Sequence, residues 1–127
     1  MSLRLVDTDV LIWYLRGNIA AAGLIEQGGL RISAINYLEL LHGVRDKAEL
    51  SALKTMLSRY GIGVLDLTPA ITHAAIALLE TYTLSHRMGM ADALIAATAL
   101  EYRLPLITSN IKHYRAIEPL ILMPFSA

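Results

Sequence analysis

The stretch LRLVDTDVLIWYLRG, residues 3–17, decides the fold. A short apolar run over 3–6 is stopped by Asp7, Thr8 and Asp9, and apolar side chains then recur at helical spacing through Val10, Leu11, Tyr14 and Leu15 until Gly17. This is strand, turn, helix. The same order returns along the chain. Asn18 can cap a short helix to residue 25, ended by Gly28 and Gly29, after which 30–33 is strand-like. Ser33 then caps a helix carrying Ile35, Leu38, Leu41 and His42 that stops near Gly43, and 46–60 supplies another, closed by Gly61. Residues 62–67 form a third strand. Thr68-Pro69 opens a long helix to about residue 85, since proline at the first helical position lacks only an N–H that would have no partner there. Gly89 separates it from 90–102, almost entirely Ala, Leu, Ile and Met, which is expected to be buried on most faces as the central helix of the core. A fourth strand over 104–108 and a short fifth over 120–123 complete the pattern.

Strands alternating with helices pair in parallel through right-handed crossovers. The expected fold is therefore α/β: a three-layer α/β/α sandwich with a mostly parallel four- to five-stranded sheet. At 127 residues the chain fits one domain, 1–127. With 55% hydrophobic residues and a mean hydropathy of +0.50, it carries more apolar surface than a domain this small readily buries, which points to a partner. No run approaches the length of a membrane helix, and Arg4, Asp7 and Asp9 interrupt any signal-peptide core, so a cytoplasmic location is expected. Zero Cys excludes disulfides, thiolate zinc sites and thiol catalysis. Eleven Lys plus Arg balance eleven Asp plus Glu, so no overall positive field holds a polyanion, and phosphate chemistry would need local charges or bound cations.

Sheets of this kind place their chemistry at the carboxyl ends of the strands. Asp7 and Asp9 follow the first strand at that edge, where helix capping is the competing explanation. Glu39 lies about a turn and a half into the helix after the second strand. Helical side chains lean toward the N-terminus, so it tilts back toward Asp7, unless it is simply a solvent-facing position. Asp92 opens the apolar run 91–100, where a buried unpaired carboxylate would cost several kcal/mol. The helix dipole would offset only about 0.3–1 kcal/mol of that. Thr108, Ser109 and Asn110 close the fourth strand with oxygens at the same edge; Asn110 could equally cap the following turn. His42 and His113 stand alone, without a nucleophile at a telling spacing, and a structural or surface role suits both. Three carboxylates from three segments would repel one another at one edge without cations. Hard oxygen ligands, without Cys or paired His, select Mg²⁺ or Mn²⁺. Such a site activates water for displacement at phosphorus.

The segments LVDTDVLI (5–12), ISAINYLELLHG (32–43), ADALIAATAL (91–100) and LPLITSNIKHY (104–114) resemble, in order and spacing, those of PIN-domain proteins, specifically VapC-type toxins of toxin–antitoxin pairs. The resemblance implies a metal-dependent endoribonuclease in which Asp7, Glu39 and Asp92 match the family's acids. Asp7 and Asp92 would be the main Mg²⁺ (or Mn²⁺) ligands. Glu39 would reach the metal directly or through water, and Thr8 and Thr108, with Asn110 nearby, would support them. Asn110 and His113 occupy the region where the family often carries a fourth acid. The resemblance further implies an RNA substrate, a homodimer and a cognate antitoxin that covers the active edge.

Two other readings compete. Asp7-Thr8-Asp9 fits the D-x-D of haloacid-dehalogenase-like phosphatases, although Leu11 stands where Thr or Val is usual and only Lys112 and Glu118 remain for the later positions. A non-catalytic receiver-like domain would use Asp7, Asp9 and Asp66 with Thr108 as its switch hydroxyl. It lacks the expected lysine-proline and leaves Glu39 and Asp92 unexplained.

Overall fold

The computed structural model describes residues 2–127. Five strands and seven helices follow one another as β1 (Arg4–Val6), α1 (Thr8–Leu15), α2 (Ile19–Glu26), β2 (Leu30–Ser33), α3 (Ala34–Gly43), α4 (Lys47–Arg59), β3 (Gly63–Leu65), α5 (Pro69–His86), α6 (Met90–Tyr102), β4 (Leu106–Thr108), α7 (Ile111–Tyr114) and β5 (Leu122–Pro124). The strands form one sheet in the order β3-β2-β1-β4-β5, every pairing parallel. The three-layer α/β/α expectation is met.

Alternation along the short strands divides the core between two faces. Leu5 and Leu106 join Ile71, Ala75 and the buried alanines of α6, while Val6 and Ile107 join Leu11, Ile25, Leu53 and Met56 from α1, α2 and α4. Alanines 93, 96, 97 and 99 let α6 lie close against α5 and the sheet. The ends of α6 emerge, with Met90 and Tyr102 exposed.

Strand ends differ from the sequence expectation. β3 is shorter than 62–67 because its pairing with β2 runs only from Gly63 to Leu65: the Ile62 N–H bonds back to Leu57 O, and Asp66 and Leu67 lie exposed beyond the sheet. β5 starts at Leu122 rather than residue 120, and it ends on a proline opposite Thr108. Proline is tolerated there because β5 is an edge strand whose outer side needs no N–H donor.

The strand order fixes where a ligand can bind. From central β1 the chain moves outward to β2 and β3, then returns to the opposite side of β1 to form β4. The order therefore reverses between β1 and β4, and open parallel sheets bind ligands beyond the carboxyl ends of the strands at such a point.

Candidate active site at the sheet edge

Asp7 follows β1 directly at that switch point and is only 5% exposed. It caps α1, its Oδ1 accepting the Thr8 N–H at 2.8 Å. Capping does not exhaust its role. Oδ1 also accepts from Asn36 Nδ2 at 3.2 Å, while Oδ2 accepts from Thr108 Oγ1 at 2.8 Å and lies 3.1 Å from the Tyr114 hydroxyl. These donors are themselves held in place. In a capping box at the start of α3, Ser33 Oγ accepts the Asn36 N–H while the Ser33 N–H donates to Asn36 Oδ1; the Ser33 hydroxyl also donates to Oδ1, and the amide nitrogen is thereby turned toward Asp7 and Thr8. Thr108 Oγ1 accepts the Asn110 N–H at 2.9 Å, so its own proton is directed at Asp7.

Burial raises the pKa of Asp7 above its ordinary 3.8 and nearby Asp9 adds to the rise; bonds from Thr108, Thr8 and Tyr114 oppose it without cancelling it. The folded protein thus takes up this proton at higher pH than the unfolded chain. Asp7 favours folding most below 3.8, and that contribution is lost as pH rises through its raised value. We expect the stability gap between wild type and Asp7→Asn, measured by denaturant unfolding in chelator, to move against wild type from acid to neutral pH. A gap independent of pH would contradict the assignment.

Asp92 lies in the first turn of α6, with its side chain 27% exposed. The expectation that Asp92, among its apolar neighbours, is a buried carboxylate is therefore corrected: it is part-exposed, and Asp7 is the buried one. The first turn of α6 sits at the rim, and its N-cap is Gly89, with no side chain to cover the carboxylate. Asp92 Oδ1 is 3.2 Å from the Tyr114 hydroxyl and Oδ2 is 3.3 Å from His113 Nδ1. Tyr114 therefore stands between Asp7 and Asp92.

Glu39 is exposed and accepts from Thr8 Oγ1 at 2.8 Å, linking it to Asp7 through Thr8 and Asn36. Asp9 does not cap. Its Oδ2 accepts from the backbone and hydroxyl of Ser109, tying α1 to the turn after β4, while its Oδ1 is buried without a partner. Asn110 occupies the N-cap of α7 with no side-chain capping bond, and its side chain is exposed. His42 is exposed on α3.

Among the described residues, no three Asp, Glu or His side chains gather closely enough to make a metal-ligand set. The acids are joined instead through intermediates, Tyr114 on one side and Thr8 with Asn36 on the other. A groove of about 490 Å³ lined by Ile12, Leu15, Leu40, Val44 and Leu53 has Glu39 on its wall but neither Asp7 nor Asp92.

Known proteins are similar to this chain in sequence and fold. Ribonuclease VapC10 of Mycobacterium tuberculosis is 38% identical over 121 residues, covering 91% of this chain and 89% of its own. The PIN domain family matches residues 4–118. This chain is a VapC-type PIN domain. The structure of VapBC2 from Rickettsia felis, bound to a DNA fragment from its promoter, is similar with a TM-score of 0.83, 25% identity and coverage of 98% and 99% of the two chains. A toxin–antitoxin complex from Klebsiella pneumoniae is similar with a TM-score of 0.80, 27% identity and the same coverage.

Within this PIN domain, sequence reasoning missed Asn36 and Tyr114. Asn36 could have been suspected from its place three residues after the capping Ser33, where a polar side chain can reach back. Nothing in the local sequence marked Tyr114. The phosphatase and receiver readings lose their key residues: Asp9 is engaged by Ser109, and Asp66 is exposed beyond β3, away from β1 and β4.

Proposed function

We propose that this PIN domain is an endoribonuclease that uses Mg²⁺ or Mn²⁺, the toxin of a type II toxin–antitoxin pair. The observation that carries the reading is the buried Asp7 carboxylate at the switch point, bridged by one hydroxyl to Asp92. Similarity to Ribonuclease VapC10 supports RNA as substrate, and similarity to VapBC2 supports an antitoxin partner.

The donor set fits a hard divalent cation. Mg²⁺ is commonly held by one or two carboxylates with water completing the shell, so a gathered third acid is not required. Asp7 and Asp92 would hold the ion. The misfit between Asp7's burial and its charge is the electrostatic reason a cation would be favoured there. When bound, the cation would lower the pKa of a water and neutralise charge developing on the scissile phosphate. Glu39, exposed and steadied by Thr8, orients the attacking water and accepts its proton. Thr8 and Thr108 fix the carboxylates from behind, and Asn110 holds the Thr108 hydroxyl through its backbone N–H.

We expect Glu39→Gln to lower the RNA cleavage rate roughly 100-fold, the scale of general-base catalysis, with melting temperature unchanged because the side chain is exposed. Steady-state cleavage beside thermal melting checks this; an undiminished rate would remove Glu39 from the chemistry.

Exposed Trp13, Leu15, Ile19 and Leu38, with the groove beside α1, are apolar surface suited to the antitoxin. A homodimer and a cytoplasmic location complete the proposal. Among the described residues, no helix is long and apolar enough to cross a membrane. The experiment that tests the function is digestion of total RNA with mapped ends across a Mg²⁺ and Mn²⁺ titration. Discrete cuts that need the cation are expected; intact RNA at every cation level, or cuts indifferent to chelator, would overturn it.

A further inference from the structure

Tyr114 is the largest fully buried side chain, at 1% exposure, and its ring packs in the core formed by α5, α6 and β4. A phenylalanine would fill that space. The hydroxyl is what distinguishes it, and the hydroxyl sits 3.1 Å from Asp7 Oδ2 and 3.2 Å from Asp92 Oδ1. Among the described residues no hydrogen bond runs directly between the two acids, and no other side chain bonds to both.

A phenol carries one proton and donates to one carboxylate at a time; Asp7 Oδ2 also has the Thr108 donor and Asp92 is part-exposed, so the shared hydroxyl links the two acids without leaving either unpaired. A phenol is protonated at neutral pH, so it acts as a donor here rather than as a third anion. Its backbone is fixed by α7, which packs on α6 and β5. The hydroxyl is thus held by the fold at a point where it steadies two acids contributed by segments far apart in sequence.

We propose that Tyr114 is a positioning residue whose hydroxyl sets the separation of the Asp7 and Asp92 carboxylates and thereby the affinity of the site for a divalent cation. The inference rests on the metal-dependent reading above. It accounts for how two acids can serve where no third is gathered: the protein fixes the pair in advance rather than leaving the ion to assemble it. Loss of the hydroxyl should then act mainly on cation affinity, and excess cation should restore the reaction. Losing an outer partner of a metal ligand commonly costs 10–100-fold in affinity or activity.

The test is calorimetric titration of Mn²⁺ into chelator-treated wild type, Tyr114→Phe and Asp7→Asn, with RNA cleavage measured against Mn²⁺ concentration. Tyr114→Phe should bind Mn²⁺ at least about tenfold more weakly than wild type, yet approach the wild-type cleavage rate at saturation. Wild-type affinity in Tyr114→Phe, with binding still lost in Asp7→Asn, would overturn the positioning role and leave the cation site standing. Absence of Mn²⁺ binding by wild type, or binding that Asp7→Asn leaves intact, would overturn both. Should Tyr114→Phe fail to fold, 3-fluorotyrosine placed at 114 gives a second reading. Its fluorine resonance should shift on Mg²⁺ addition with the same midpoint as thermal stabilisation, and a resonance unmoved by stabilising Mg²⁺ would overturn the proposal.

Discussion

Asp7→Asn is expected to lower RNA cleavage by more than about 100-fold while raising the melting temperature of the metal-free protein. The first effect exceeds the 10–100-fold commonly lost when only an outer partner of a metal ligand is removed, because here the ligand itself is lost. The second follows from burial. Asp7 carries a carboxylate that desolvation disfavours and that Asp9 disfavours further. An amide of the same shape has no charge to desolvate. Its oxygen can keep the donors Thr8 N and Asn36 Nδ2, while its nitrogen faces the Thr108 and Tyr114 hydroxyls, which can accept as well as donate. Function and stability therefore pull in opposite directions at this position. Cleavage assays beside thermal melts in chelator check both signs together. A destabilised variant would mean that the bonds to Asp7 outweigh the cost of burying its charge.

The second large effect is stabilisation by cation. A ligand that binds only the folded state adds about 2.7 kcal/mol at a hundred times its dissociation constant. For a domain of this size that corresponds to a rise of roughly 10 °C in melting temperature. Mg²⁺ or Mn²⁺ should produce such a rise in wild type, and the rise should be absent in Asp7→Asn and much reduced in Asp92→Asn. The contrast matters because divalent ions can also act weakly on any acidic surface. Equal shifts in wild type and Asp7→Asn would assign the effect to such screening. A flat response in wild type would remove the cation from the account.

Much of the fold and site is legible in the sequence, for identifiable physical reasons. Asp7 and Thr108 end β1 and β4, and the alternation of strands with helices already directs ligands to the carboxyl ends of such strands. Capping signals at Asn18, Ser33 and Thr68 are local, so the starts of α2, α3 and α5 were legible. The strand ends at β3 and β5 were not, because pairing with a neighbour rather than local propensity decides where an edge strand stops.

The support of the site was least legible. Asn36 reaches Asp7 across 29 residues and Tyr114 reaches it across 107, so only tertiary closure reveals either role. In the sequence Tyr114 is one aromatic in a short basic segment, with nothing local to mark it. The exposure of Asp92 is illegible for a related reason. Its apolar neighbours face the core, but it lies in the first turn of α6, where the helix reaches the rim and the carboxylate meets both Tyr114 and solvent.

The central claim is that Asp7 and Asp92 together hold one divalent ion. Anomalous diffraction from crystals soaked in Mn²⁺ tests it most directly. A strong manganese peak is expected within coordinating distance of an oxygen from each of these carboxylates, and it should be lost in Asp7→Asn. A peak elsewhere with none between the two acids, or no ordered manganese in crystals of protein that cleaves RNA, would contradict it.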